Sequence, residues 1–114
     1  MHAAIVFPGQ GSQFPGMADP WLSHAASKAV LDEASSAMGI DLVERSREPE
    51  ALAATDFVQP ALLTIDVAAF RVLEAEGVSF TGSAGHSLGE FAALVAAAVL
   101  RFSDALEIVR VRGR

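Results

Sequence analysis

The residues most suited to chemistry form the pentapeptide Gly85-His86-Ser87-Leu88-Gly89, which has the G-x-S-x-G pattern. Apolar residues 78–84 precede it and an alanine-rich run, 91–100, follows it. This context predicts a strand, a sharp turn and a helix, with the serine hydroxyl held above the end of a sheet. We therefore predict that Ser87 is a catalytic nucleophile. The alternative is a glycine-rich turn whose serine only caps the next helix.

Backbone groups around this turn are expected to stabilise a negatively charged oxygen. Gly85 and Gly89 support the turn, since a Cβ at either position would clash where strand and helix pass closely. The N–H of Leu88 lies at a helix N-terminus, which favours a developing oxyanion. A second donor is expected from the glycine-rich loop 8–16, because loops that follow parallel strands meet at one edge of the sheet. An ordinary connecting loop is the alternative, and the glycine spacing disfavours a nucleotide-phosphate loop.

A serine nucleophile needs a base, usually histidine, within hydrogen-bond reach. His86 is the neighbour of Ser87 and points to the opposite face of the strand, so we expect it to pack beneath the turn. His2 begins the first strand, at the wrong end of the sheet. His24 falls on a helix and is expected to be solvated, which makes it a weak candidate. The sequence therefore predicts that the base lies outside this chain.

Composition limits the class of protein. The 114 residues allow one domain at most. Their hydrophobic fraction of 52% is high for a complete soluble domain, which suggests that they form part of a larger hydrophobic core. A net charge of −6 argues against non-specific binding to nucleic acid. The sequence has no apolar run long enough for a membrane span and no cysteine for a disulfide or a metal site. We expect a cytoplasmic protein.

The hydrophobic pattern predicts alternating strands and helices. Residues 3–7 and 78–84 are the expected strands, and 21–38, 60–76, 91–100 and 103–114 the expected helices, with short helical turns in 41–54. Pro60 and Ser103 are expected to begin their helices, and Gly39 and Gly77 to end theirs. The two long helices are each expected to bury one face, formed by Leu22, Ala25, Ala26, Ala29 and Val30 in the first and by Ala61, Ile65, Ala68, Ala69, Val72 and Leu73 in the second. Because two strands do not make an independent α/β fold, the chain is expected to be the N-terminal portion of a larger α/β protein.

Four motifs resemble one family in order and spacing. They are Ile5-Val6-Phe7-Pro8-Gly9-Gln10-Gly11-Ser12-Gln13, Gln59-Pro60-Ala61-Leu62, Gly85-His86-Ser87-Leu88-Gly89-Glu90 and Arg110-Val111-Arg112-Gly113. They are similar to those of malonyl-CoA:acyl carrier protein transacylases and the related acyltransferase domains of polyketide and fatty acid synthases. The resemblance covers the whole chain.

The resemblance implies a role for each matching residue. Ser87 would take malonyl from malonyl-CoA and pass it to the phosphopantetheine thiol of acyl carrier protein, without a cofactor. The N–H groups of Gln10 and Leu88 would form the oxyanion hole, and Gln59 would line the site. Arg112 would pair with the malonyl carboxylate, for which a guanidinium fork is suited. The alternative for Arg112 is a helix-end charge, since Arg101, Arg110 and Arg114 lie nearby.

The resemblance also implies that the chain is incomplete. Residues 1–114 would be part of an α/β-hydrolase-like subdomain with a parallel sheet. The remaining strands, the small ferredoxin-like subdomain and the catalytic histidine of the family would lie in a remainder that packs against it. Two other readings stay open. One is a serine esterase or lipase with the same turn, and the other is a non-catalytic fragment that folds with or binds a partner.

Overall fold

The computed structural model describes residues 4–7, 11–80, 82–85 and 88–112, with side chains as far as Val111. These residues form two strands and six α-helices, with one short 3₁₀ helix. In chain order they are β1 (Ala4–Phe7), the 3₁₀ helix (Asp19–Ser23), α1 (Ala25–Met38), α2 (Leu42–Arg45), α3 (Pro49–Leu52), α4 (Thr55–Ala75), β2 (Gly82–Gly85), α5 (Gly89–Ala96) and α6 (Phe102–Arg112). The α/β class and the short helical turns predicted within 41–54 are confirmed.

β1 and β2 pair in parallel, with Ala4 opposite Gly82 and Phe7 opposite Gly85. The predicted parallel pair is thus confirmed, but β2 is shorter than the predicted strand 78–84. The N–H of Val78 still donates to the carbonyl of Leu73 and so belongs to the end of α4. Phe80 packs its ring on Phe70, with the ring centroids 5.7 Å apart. Residues 78–80 therefore hydrogen-bond to and pack against the C-terminal part of α4, and the strand begins after them.

α1 begins later than predicted and buries a different face. Residues 19–23 form a 3₁₀ helix, so their side chains do not continue the α-helical period of 3.6. Residues that share a face at i, i+3, i+4 and i+7 form the buried stripe: Ser27, Val30, Leu31 and Ala34. The predicted burial of Leu22, Ala25 and Ala29 is wrong, because all three are exposed. The predicted burial of Val30 is confirmed. Gly39 ends α1 with φ +69°, as predicted.

α4 is the central helix, packed by α1, α5 and α6. It begins at Thr55, so the predicted start at Pro60 is wrong. Pro60 lies inside the helix, where its missing N–H leaves the carbonyl of Asp56 without its usual helical donor. Pro60 is itself buried in the core, which favours its place there. Gly77 follows the helix with φ +86°, which agrees with its predicted role.

The apolar residues of α4 lie on all sides rather than in one stripe, because helices cover it from several directions. Of the predicted stripe, Ala61 and Ala68 are buried. Ile65, Ala69 and Val72 are half-buried, and Leu73 is exposed, which contradicts its predicted burial. The exposure of Leu73 shows that the C-terminal half of α4 has an uncovered flank.

The last two helices also differ from prediction at their ends. α5 ends at Ala96 rather than at residue 100, and Ala98 adopts φ +59° in the turn that follows. α6 begins at Phe102, so Ser103 is its second residue and not its cap. The reason is that the N–H groups of Asp104 and Ala105 both donate to the carbonyl of Arg101, which sets the start of the helix one residue earlier than predicted.

The sheet is covered on one face only by the described residues. Ile5 and Phe7 point toward the helices and pack into the core. The alternate residues Ala4, Val6, Gly82 and Ala84 are exposed, Val6 at 71% of its surface. Parallel strands are usually buried on both faces. One face of this sheet is therefore open.

Candidate functional site

A tight connection between β2 and α5 forms the candidate site. β2 ends at Gly85 and α5 begins at Gly89, which confirms a strand before the predicted turn and a helix after it. Leu88 comes directly before α5 and is 1% exposed. Ser87 and His86 lie outside the described residues, so their predicted roles stay predictions. The N-terminal end of α5 faces this turn, with its partial positive charge.

Gly85 explains why the turn can be so tight. A Cβ at this position would overlap the backbone carbonyl of Gly89 and the amide nitrogen of Glu90. The backbone of α5 thus passes against the last residue of β2, and only glycine fits there. The predicted need for glycine is confirmed at Gly85. Gly89 is buried at the first position of α5, but the same need at that residue stays a prediction.

A hydroxyl group that sequence reasoning missed fastens the strand to the helix. Ser83 lies on the covered face of β2, and its Oγ donates to the carbonyl oxygen of Ala93 at 2.8 Å. The bond spans the turn, since Ser83 precedes it and Ala93 lies within α5. This contact holds the two sides of the turn at a set separation. In the sequence, the only signal for this hydrogen bond is that Ser83 occupies a core-facing position of the predicted strand.

The loop after β1 leaves the sheet beside this turn, because Phe7 pairs with Gly85. Gln10, the predicted oxyanion donor, lies outside the described residues. The next residue, Gly11, has φ +117° and donates its N–H to Oε1 of Gln13 at 2.7 Å. Gly16 has φ +79° and donates its N–H to the carbonyl of Ser46 at 3.0 Å. The part of the loop from Gly11 to Gly16 is therefore held by the side chain of Gln13 within the loop and by Ser46 at the C-terminal end of α2.

The two predicted substrate-binding residues lie on different helices. Gln59 is half-buried in the first turns of α4. Arg112 is the last residue of α6, and its side chain is not among those described. Arg110 donates from Nη1 to the carbonyl of Ala37 at 3.0 Å, so it serves the C-terminal end of α1. Arg101 pairs with Asp104 at 3.2 Å. The joint action of Gln59 and Arg112 on a substrate stays a prediction.

His24 is half-buried, with 33% of its side chain exposed, so it is only partly solvated. Its Nδ1 accepts the N–H of Ala26 at 3.0 Å and caps α1. Its Nε2 lies 3.0 Å from Oε1 of Glu76, just beyond the end of α4. That end of α4 adjoins the start of β2, whereas the candidate site lies at the other end of the strand. His24 therefore does not serve the site.

Asp66 is the buried titratable group that sequence reasoning missed. It lies in α4 with 9% of its surface exposed, and burial raises the pKa of its carboxyl group to about 7. The signal was present: Asp66 is the one charged residue of the apolar stretch 57–70. Within the part of the chain that the structure describes, no three His, Cys, Asp or Glu side chains cluster as a metal site would require. No helix among the described residues is both long enough and apolar enough to cross a membrane.

Comparisons with known proteins agree on one family. The acyl transferase domain family matches residues 4–114. The malonyl CoA-acyl carrier protein transacylase of Escherichia coli strain K12 is 46% identical over 115 residues, covering 97% of this chain. The acyl-carrier-protein S-malonyltransferase structure from Burkholderia pseudomallei superimposes with a TM-score of 0.94, at 42% identity over 99% of this chain. A type II PKS acyl-carrier protein in complex with its malonyl-transacylase matches with a TM-score of 0.91, at 41% identity over 99% of this chain.

The chain spans little more than a third of the length of these proteins. It covers 37% of the Escherichia coli relative and 38% of each of the two solved chains. The open face of the two-stranded sheet and the uncovered flank of α4 agree with this partial coverage.

Proposed function

The chain belongs to the acyl transferase domain family, and on this premise we propose that it is the nucleophile-bearing part of a malonyl-CoA:acyl carrier protein transacylase. Residues 1–114 form part of the larger, hydrolase-like subdomain of that enzyme. It transfers malonyl groups for fatty acid or polyketide biosynthesis. The observation that carries the proposal is the contact at Gly85, where strand and helix approach so closely that the turn between them must be sharp.

In the first half-reaction, the Oγ of Ser87 attacks the thioester carbon of malonyl-CoA. A bond forms between Oγ and that carbon, and the bond from carbon to sulfur breaks. The serine proton passes to a base supplied by polypeptide outside this chain and then to the departing sulfur of coenzyme A. In the second half-reaction, the thiol of the carrier protein's phosphopantetheine arm gives its proton to the same base, and its sulfur attacks the carbonyl carbon of the acyl-serine. A bond forms between sulfur and that carbon, the bond from carbon to Oγ breaks, and the proton passes from the base to Oγ to regenerate the hydroxyl group.

The oxyanion of each tetrahedral intermediate is stabilised by the N–H groups of Gln10 and Leu88. Leu88 is suited to this because it stands at the start of α5, where helix N–H groups lack helical acceptors and the dipole is positive. Gln10 is suited because β1 and β2 end at the same edge of the sheet. Hydrogen bonds donated by the N–H groups of Gly11 and Gly16 hold the loop that follows Gln10.

Arg112 selects malonyl by pairing with its free carboxylate through two parallel hydrogen bonds. Two neighbouring arginines already have partners, since Arg101 pairs with Asp104 and Arg110 with the carbonyl of Ala37. Gln59 contributes a polar side chain to the wall of the site. The acyl acceptor is an acyl carrier protein, as one similar structure contains such a protein bound to its malonyl-transacylase.

Intact-mass spectrometry tests the proposal. The chain, assembled with the part of the Escherichia coli transacylase that it does not match, is mixed with malonyl-CoA. We expect one malonyl adduct on Ser87, which disappears when acyl carrier protein is added, and none in Ser87→Ala. Hydrolysis of simple esters without transfer to the carrier protein would instead identify an esterase. Absence of any adduct on the assembled protein would leave a non-catalytic fragment.

A further inference from the structure

Asp66 carries a buried polar atom that the described part of the chain does not satisfy. Its Oδ2 has no hydrogen-bond donor among those residues, and the side chain is 9% exposed. A buried polar group without a partner is costly, and a buried charge more so. Native structures therefore seldom leave such groups unpaired unless a ligand, a water or another chain satisfies them.

The spacing of α4 shows which way Asp66 faces. Phe70 follows it by one turn on the same side of the helix. The ring of Phe70 packs on Phe80 and borders a crevice with Ile5 and Gly82, so this side faces the sheet. Leu73 lies on the same side one further turn along and is 39% exposed. Asp66 thus lies on the sheet-facing side of α4, two turns before the exposed Leu73.

The sheet beside that flank is itself unfinished in the described residues. It has two strands there, whereas sheets usually have four to six. Its outer face is open at Val6. Because this chain covers 37% of the Escherichia coli relative, the greater part of such an enzyme is available to pack against it.

We infer that Asp66 accepts a hydrogen bond from a nitrogen donor carried by the polypeptide that extends this sheet, the part of the transacylase that this chain does not match. A carboxylate accepts such donors strongly, whether they are backbone amides or cationic side chains. A metal ion is the poorer occupant, because no acidic or histidine cluster accompanies Asp66 among the described residues. The inference rests on family membership and not on acyl transfer by Ser87.

A binding measurement tests the inference without using catalysis. The purified chain is titrated with the unmatched part of the Escherichia coli transacylase, and the dissociation constant is measured for three variants. Asp66→Leu keeps a similar volume but removes the acceptor, and Asp66→Asn keeps one acceptor oxygen. Asp56→Asn is the matched control, because Asp56 is exposed in the first turn of the same helix.

We expect Asp66→Leu to weaken assembly roughly 30-fold or more, as truncation of one partner of a buried charged hydrogen bond does. Asp66→Asn should weaken it less if the donor is a neutral N–H and nearly as much if the donor is a cation. Asp56→Asn should bind like wild type. Equal binding by Asp66→Leu and wild type would overturn the inference, as would a wild-type chain that does not bind.

A second measurement uses the wild-type protein, so it does not depend on how the variants fold. In chain labelled with ¹³C-aspartate, the carboxyl resonance of Asp66 should shift when the partner polypeptide is added. The resonance of Asp56 should stay in place. An unchanged Asp66 resonance in the assembled protein would show that no donor reaches this carboxyl group.

Discussion

The imidazole of His24 joins the start of α1 to the end of α4 through Glu76. Its Nδ1 accepts the N–H of Ala26, so the neutral ring carries its proton on Nε2, which donates to Oε1 of Glu76 at 3.0 Å. Both ring nitrogens are thus engaged in holding helices together. The contact connects two elements that are far apart in sequence but adjacent in the fold.

His24→Ala should therefore reduce stability and leave catalysis intact. Loss of a side-chain cap typically costs about 1 kcal/mol. Urea unfolding of the assembled protein measures this cost, and His24→Asn, which can still cap α1, should recover most of it. A variant that folds normally but no longer forms the malonyl adduct would instead make His24 the base.

Gly85→Ala should strongly destabilise the turn between β2 and α5. The added methyl group would meet backbone atoms of Gly89 and Glu90, which cannot move aside as a flexible side chain could. Overpacking of this kind typically costs about 1–3 kcal/mol, and backbone contact favours the upper end. Gly82→Ala is the matched control on the same strand, because its Cβ would meet no atom within 4 Å. Similar urea midpoints for the two variants would contradict the close approach at Gly85.

Asp66 should make the free chain less stable as pH rises. Burial raises the pKa of its carboxyl group in the folded chain to about 7, above the 3.8 of an exposed aspartate, so the folded state binds the proton more tightly. Stability should fall between about pH 4 and pH 7 and level off above, by at most about 4 kcal/mol. Asp66→Asn should lose this slope, and Asp56→Asn should keep it. Urea midpoints at pH 5 and pH 8 measure the difference, and equal slopes for wild type and Asp66→Asn would contradict it.

Arg112→Ala should impair malonyl transfer far more than acetyl transfer. If Arg112 binds the malonyl carboxylate as proposed, only malonyl-CoA loses a charged pair, and truncating one partner of a desolvated pair lowers kcat/KM roughly 30- to several-thousand-fold. Arg101→Ala is the control, because Arg101 is exposed and pairs with Asp104. Equal losses for malonyl-CoA and acetyl-CoA in Arg112→Ala would assign this arginine a structural role.

The sequence-based predictions were most accurate where the local backbone conformation requires a particular residue type. Gly39 and Gly77 end their helices with positive φ, and Gly85 fits where no Cβ can. Each of these requirements is set by the chain's own backbone within a few residues or by one close contact. The strand before Ser87 and the helix after it could be predicted for the same reason.

The sequence-based predictions failed where packing between distant elements determines where a helix begins or which side chains are buried. Pro60 has every local reason to begin a helix, but core packing keeps it inside α4. The phase of the α1 stripe depends on a 3₁₀ helix that periodicity alone does not reveal. Asp66 is the one charged residue of an apolar stretch, but the sequence alone does not establish its burial, because that burial depends on neighbours from other parts of the chain.

The pairing of Ala4 with Gly82 also sets an order of events during synthesis. β1 is synthesised before β2 and cannot pair with it until α1 to α4 have been made, so its apolar residues lack this partner strand during that time. Contacts of such large sequence separation form slowly, since a long loop must close first. The local helices can collapse early, whereas the sheet that β1 and β2 form is a late product of folding. Until it forms, Ile5, Val6 and Phe7 are an unpaired edge available to chaperones or to aggregation.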